Sequence, residues 1–235
     1  MELKILTRFG LYKNRTYKWG YFLETNKYDI DELIESKEKN EKINIIWVAR
    51  FIKWKHPEVV VKLAKRLKAQ KYNFKIQMLG TGKLEQKIRN KIKKENLEDV
   101  LEVVGQVPSD KVKDYMEKAN IFIGTSDSME GWGAVINESM NAACAIVANR
   151  RMGSVPFLIG DNETGLMYEN YNDFESKVKE LIENKELRDK LSKNAYNYIT
   201  TKWTGEIAAK NIIEMFDCVI NKKEVSVKEG PASRA

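Results

Sequence analysis

From residue 43 onward the chain alternates short β-prone apolar runs with longer amphipathic stretches, and this alternation limits the possible folds more than any other feature. "INIIWVA" (43–49) is a continuous apolar run of the kind expected of a strand covered on both faces. "HPEVVVKLAKRLKAQ" follows, with Pro57 placed for a first helical turn and an apolar stripe behind it. "NFKIQMLG" (73–80), "VLEVVG" (100–105), "NIFIGTS" (120–126), "AIVAN" (145–149) and "GLMY" (165–168) read as further strands. Between them lie the helical patterns "KLEQKIRNKIKKENL" (83–97), "SDKVKDYMEKA" (109–119) and "WGAVINESMNA" (132–142). Strands separated by helices need crossover connections, so the pattern predicts an α/β fold with a Rossmann-like, doubly wound parallel sheet of about six strands. Charged helices follow from 170 to 220, and the aperiodic "NKKEVSVKEGPASRA" (221–235) reads as a disordered tail. Residues 1–42 do not read as a domain: an aromatic-basic stretch (8–22) is followed by a polar, helix-like linker.

Ligands on such sheets bind beyond the carboxyl ends of the strands. "RFIKWK", "GTG" and "SDSMEGWG" all fall at that edge. In the first, Arg50 and Lys55 can converge on a diphosphate, the arginine as a planar fork and the lysine as a point charge. A solvated basic loop fits them equally well. In the last, Glu130 and Glu138 flank Gly131 and Gly133. Glu138 is expected about two turns into the next helix, whose open N-terminus could face a phosphate. On residue grounds the two glutamates fit a catalytic acid/base pair, metal ligands, acceptors for sugar hydroxyls, or solvated helix charge.

Other chemistries find little support. His56 is the sole histidine and reads as a capping or surface residue before Pro57, which leaves nucleophilic triads without a base. No cluster with zinc-ligand spacing and no G-x-x-x-x-G-K-[ST] loop occurs. Cys144 and Cys218 are not paired in a C-x-x-C motif, and Cys144 reads as a buried free thiol in a reducing compartment. No apolar run approaches the ~20 residues that span a bilayer, and "MELKILTRFG" is too short for a secretory signal. A cytoplasmic location is expected, with peripheral contact at the inner membrane face as an option. The 41 basic residues against 34 acidic ones give a net charge of +7, which suits an anionic partner without specifying one.

"TSDSMEGWGAVINESMNAACAIVANRRMGSVPFLIGDNETGLMY" resembles the donor-binding signature of the retaining glycosyltransferase family 4, whose fold is GT-B. The resemblance runs from about 43 to 220, and "VARFIKWKHPEVVVKLAKRL" is similar to the family's first strand, Arg/Lys loop and helix. It implies that Arg50 and Lys55 neutralise the donor diphosphate, that Glu130 contacts the donor sugar and that Glu138 binds the ribose hydroxyls. It further implies that Gly131, Trp132 and Gly133 bring backbone amides to sugar and phosphate. Gly80 matches the glycine after the second strand, Val107 would border the base, and Ser126 matches the serine before the glutamate loop. No metal or other cofactor is implied. The expected partners are a UDP- or GDP-linked sugar and an acceptor glycan or lipid-linked sugar, in polysaccharide or glycoconjugate synthesis, with no nucleic acid.

Three departures from the family pattern carry expectations of their own. Trp132 replaces a phenylalanine, a bulkier wall that would restrict the sugar pocket. Phe157 stands where the family often has glutamate, so no acidic role falls there. The family has two Rossmann-like domains, with the acceptor domain first. Residues 1–42 resemble the crossover between them, so 43–220 is expected to be the donor-binding domain without its acceptor partner. A non-catalytic remnant or split-transferase subunit is the alternative reading, and a basic membrane-surface or nucleic-acid-binding module a further one.

Overall fold

The computed structural model describes residues 16–234. The elements run α1 (Ile30–Glu38), β1 (Ile43–Val48), a 3-10 turn (Lys53–Lys55), α2 (Pro57–Ala69), β2 (Phe74–Leu79), α3 (Glu85–Lys94), β3 (Leu101–Gly105) and α4 (Ser109–Glu117). They continue with β4 (Ile121–Gly124), α5 (Val135–Asn141), β5 (Ala145–Asn149), α6 (Val155–Leu158), β6 (Leu166–Tyr168), α7 (Tyr171–Glu183), α8 (Lys185–Thr201) and α9 (Gly205–Ile220). The six strands are all parallel in the order β3-β2-β1-β4-β5-β6, the doubly wound sheet expected from the alternation.

The two-residue period of the strands divides the apolar side chains between two cores. Ile45, Trp47, Ile121, Ile123 and Val147 face α2, α3 and α7. Ile46, Phe122, Ile146 and Ala148 face α4, α5, α6 and α8 on the other side. This explains why the central runs are apolar throughout: each residue meets a covered face.

The polar stretch read as a linker is docked into this second layer. Asp29 caps α1, accepting from the amides of Asp31 and Glu32. Lys37 is buried and donates to the carbonyls of Ala142 (2.6 Å) and Ala143 (2.7 Å) at the end of α5. Burial lowers its amine's pKa, but the two carbonyls still give the ammonium a partner at a helix C-terminus. Arg188 grips Glu38 through a forked pair at 3.0 and 2.9 Å.

Three expectations change. Residues 230–233 are buried rather than a disordered tail: the Lys18 amide donates to Ser233 (2.8 Å) and the Ala232 amide to Lys18 (2.7 Å). Small residues let this backbone pair close beside α9, where Asn211 donates to the Pro231 carbonyl. Glu138 lies in the first turn of α5, because Gly133 takes φ +83° and the helix begins only after it. Of the aromatic-basic stretch, 8–15 lies outside the described residues, as does "MELKILTRFG", while Tyr21 and Phe22 join an aromatic cluster. Cys144 and Cys218 are both free and buried. Among the described residues no helix is long and apolar enough to cross a membrane.

Trp203 is the hub of that cluster. It lies within 5.6–6.5 Å, ring to ring, of Phe22, Trp132, Phe157 and Tyr198, and its indole donates to the Tyr21 carbonyl at 3.0 Å. Trp203→Ala is expected to cost about 3–5 kcal/mol in urea unfolding, the usual range for a fully buried large aromatic.

Candidate functional site

The strand order reverses between β1 and β4, so their loops diverge and leave a crevice at the carboxyl edge. Backbone packing fixes the β1 loop first. The Phe51 amide donates to Thr81 (2.9 Å) and the Leu84 amide to Phe51 (2.9 Å), tying this loop to the one after β2. Gly80 is required there, since a Cβ would lie 2.1 Å from the Ala49 carbonyl at a φ of +125°. The visible work of the "GTG" turn is thus close packing of two loops.

The β1 and β4 loops are joined by side chains. The Trp47 indole donates to Thr125 Oγ1 (2.8 Å), and that hydroxyl donates to the Lys55 carbonyl (2.5 Å). The Asp127 amide donates to the Trp54 carbonyl at 3.0 Å. His56 occupies the N-cap position of α2, though its side chain makes no capping bond there. It takes a left-handed φ of 49°, and its Nε2 lies 2.8 Å from Asp127 Oδ2. Desolvation pushes the Asp127 carboxyl up, but the Met129 amide and the His56 ring outweigh it and leave the group below its ordinary value.

This scaffold brings Lys55 Nζ onto Glu130 Oε2 as an ion pair, with only 12% and 15% of the two side-chain surfaces exposed. Against that attraction stand burial and then the charge of Arg50, which push the Lys55 amine down to about 8. Arg50 itself is exposed and lies 6.0 Å from the centre of the Trp54 ring.

The glycine-rich loop is pinned from behind. The Gly153 amide donates to the Glu130 carbonyl (3.1 Å) and the Ser154 amide to Trp132 (2.9 Å). Among the described residues no acceptor meets the amides of Gly131, Trp132, Gly133, Ala134 and Val135. Ser126 is buried just before the loop. Trp132 is not a wall of the crevice: its indole is buried, stacks on Phe157 and Trp203, and donates to Asn137 at 2.9 Å. Only its backbone can serve a ligand.

Glu138 lines a separate cavity of about 140 Å³ with Val112 and Met116 of α4, Asn141, and Asn26 and Tyr28. Its carboxyl loses enough solvent to be raised above the ordinary glutamate value, although the residue as a whole remains exposed. Val107 lies in a groove with Val104 and Tyr115 beyond β3. The structure therefore joins Lys55 and Glu130 directly and sets Arg50 close by, Gly80 packs in the neighbouring loop, and Glu138 and Val107 line two other cavities that include neither Lys55 nor Glu130. Thr125, His56 and Asp127 were missed. His56 and Asp127 are 71 positions apart, and no local motif links them. Chemically, two cations and a run of open amides suit a polyanion, while two carboxylates suit hydroxyl groups. Among the described residues no group of three or more His, Cys, Asp or Glu side chains is placed to hold a metal ion.

Residues 29–198 match the family model described as Glycosyl transferases group 1. The chain is 30% identical over 174 residues to an uncharacterized glycosyltransferase of Methanocaldococcus jannaschii, an alignment covering 73% of the chain and 47% of the relative. It is 32% identical over 146 residues to the N-acetylgalactosamine-N,N'-diacetylbacillosaminyl-diphospho-undecaprenol 4-alpha-N-acetylgalactosaminyltransferase of Campylobacter jejuni, covering 61% and 38%. The chain thus spans less than half the length of these curated relatives. In fold it is similar to a crystal structure of a mutant of S. aureus TarM in complex with Fondaparinux, alpha-GlcNAc-glycerol and UDP. That likeness has a TM-score of 0.71 at 22% identity and covers 90% of this chain and 41% of TarM.

The Thr125 clamp is open to test. Thr125→Val strands the buried Trp47 N–H and is expected to cost about 1–3 kcal/mol in chemical denaturation. Adding Trp47→Phe removes the orphaned donor, so the double variant should fall short of the sum of the two single losses.

Proposed function

Because the chain belongs to the Glycosyl transferases group 1 family, we propose that residues 43–220 are the donor-binding half of a retaining glycosyltransferase. It would take a hexosyl group from a nucleotide sugar to an acceptor hydroxyl, in polysaccharide or glycoconjugate synthesis. The observation that carries this reading is the Lys55–Glu130 pair in the crevice, with Arg50 beside it and open amides following.

An arriving diphosphate competes with Glu130 for Lys55. Once the lysine turns to phosphate, the Glu130 carboxylate is released to accept a hydroxyl of the donor sugar. Arg50 adds a second cation, and the amides of Gly131, Trp132 and Gly133 add neutral donors. Negative charge grows on the leaving diphosphate as the glycosidic bond breaks, so donors fixed in advance stabilise the transition state more than the ground state. Glu138 accepts the ribose hydroxyls; burial raises its carboxyl above the ordinary glutamate value, and a diol donating to it would favour the ionised form. Val107 borders the base, and Ser126 and Gly80 shape the edges. The crevice needs no metal for these roles. UDP is named with TarM and diphospho-undecaprenol with the C. jejuni relative. They make a UDP-sugar the first donor to try, ahead of a GDP-sugar, and a lipid-linked sugar the first acceptor.

A thermal-shift series with UDP, GDP, ADP and their sugars tests this reading. A nucleotide at about 100 times its Kd should stabilise the native chain by about 2.7 kcal/mol. Glu138→Ala should abolish that shift while its circular dichroism stays native. An equal shift in the variant would sink the assignment.

The pH dependence has a definite sign. Anion binding favours the charged amine, so affinity is full below the free-state value of about 8 for Lys55. It declines as pH rises through that value, by up to about tenfold per unit, until the amine's higher value in the complex is reached. Titration calorimetry between pH 7 and 9.5 should show this decline. Lys55→Arg, which stays charged, should flatten it.

A further inference from the structure

The positive charge of the chain is segregated. Between positions 51 and 94 there are fourteen lysines and arginines and two acidic residues, Glu58 and Glu85, so the rest of the chain is net acidic. This stretch runs from the loop after β1 through α2 and β2 to the end of α3, and the two helices pack side by side on one face of the sheet. Part of the charge is used internally, in the pairs Lys65–Glu95, Lys68–Asp99 and Lys75–Glu102. The two arginines between 51 and 94 are also engaged, Arg66 by Glu175 and Arg89 by Glu85.

What remains is a lysine surface. Among the described residues no carboxylate comes within 4.0 Å of Lys71, Lys83, Lys87, Lys91, Lys93 or Lys94. Lys87, Lys91 and Lys94 fall at i, i+4 and i+7 on α3, with Lys83 one turn before them. At 3.6 residues per turn the three helical lysines share an arc of about 60°, and Lys83 lies in the turn ahead of the helix. Ile88 and Ile92 are buried toward the opposite side of the same helix. Gln86 and Asn90 are exposed alongside the stripe, and no acidic side chain interrupts it.

We propose that the outer face of α3, with the adjoining end of α2, docks onto an anionic lipid bilayer. Ammonium groups are compact point charges that suit a diffuse negative plane. Nucleic-acid readers rely on arginine forks and aromatic stacking. Here both arginines are occupied, and neither α2 nor α3 contains an aromatic residue. Neither helix exposes a large apolar side chain, so attachment is electrostatic, without insertion, and reversible by salt. The surface lies outside the donor crevice, and the inference stands independently of the proposed function.

Co-sedimentation of the full chain with vesicles tests it. The protein should pellet with phosphatidylcholine vesicles containing about 30% phosphatidylglycerol, remain in solution with phosphatidylcholine alone, and be released by roughly 0.5 M salt. Lys87→Glu/Lys91→Glu/Lys94→Glu should lower vesicle affinity by on the order of 100-fold. Its melting temperature should stay native, and the corresponding triple arginine variant should still bind. A triple glutamine variant gives the same reading without charge reversal. Four results would each overturn the proposal: no pelleting with anionic vesicles, equal pelleting with neutral ones, undiminished binding by both the glutamate and glutamine variants, or retention on duplex DNA or RNA without vesicle binding.

Discussion

The hydrogen-bond chain from the Trp47 indole through Thr125 to the Lys55 carbonyl holds the crevice in shape. β1 and β4 are in register only at Ile45–Ile121 and Ile46–Phe122. Past that point the sheet no longer joins them, although β1 runs on to Val48 and β4 to Gly124. Two strands leaving a topological switch in opposite directions would otherwise have loops free to drift. A buried N–H with nowhere else to donate makes the Thr125 position costly to leave. Lys55 therefore meets Glu130 because of a bond made on the far side of its own backbone.

A second constraint acts from behind the glycine-rich loop. Trp132 and Phe157, which in the sequence read as two separate departures from the pattern it resembles, stack on each other at a ring separation of 5.8 Å. The larger indole reaches Trp203 and the 21–22 segment, so the loop carrying Glu130 is braced against the region after α8 and against the chain that precedes α1. Asn137 extends the brace, accepting from the Trp132 indole and donating to the Tyr21 carbonyl. In the proposed donor site such stiffness helps the amides, because donors that are already fixed need not reorganise when charge develops.

The central strands were legible because a strand covered on both faces is largely apolar, and β2 and β3 because Lys75, Gln77 and Glu102 alternate with buried residues; either pattern leaves a local mark. Gly133 was misplaced, since the helical pattern 132–142 took it in, whereas its φ of +83° holds it ahead of the helix. His56 and Asp127 left no such mark, since their pairing depends on two loops meeting in space. The helix of polar residues before β1 was misleading in a different way. Its buried residues are Ile34 and Lys37, and the burial of Lys37 is permitted by two helix-end carbonyls that cannot be seen from its neighbours in sequence. The final residues were read as tail because backbone pairing with Lys18 needs no side-chain pattern at all.

The excess of positive charge was visible as a total and uninformative as one. Its distribution separates two physical regimes that a net figure merges. Lys55 is one ammonium in a dry site, where loss of solvent and the nearby Arg50 bring its proton within reach of ordinary pH. The α3 lysines lie at the surface, Lys87 and Lys94 exposed and Lys91 half-buried, where salt screens them, so each contributes little alone and the stripe acts by number and geometry. A single substitution should therefore be felt at Lys55, whereas the stripe answers only to several at once. The same residue type serves as a placed group in the crevice and as a field on the helical face, and the dielectric around it decides which.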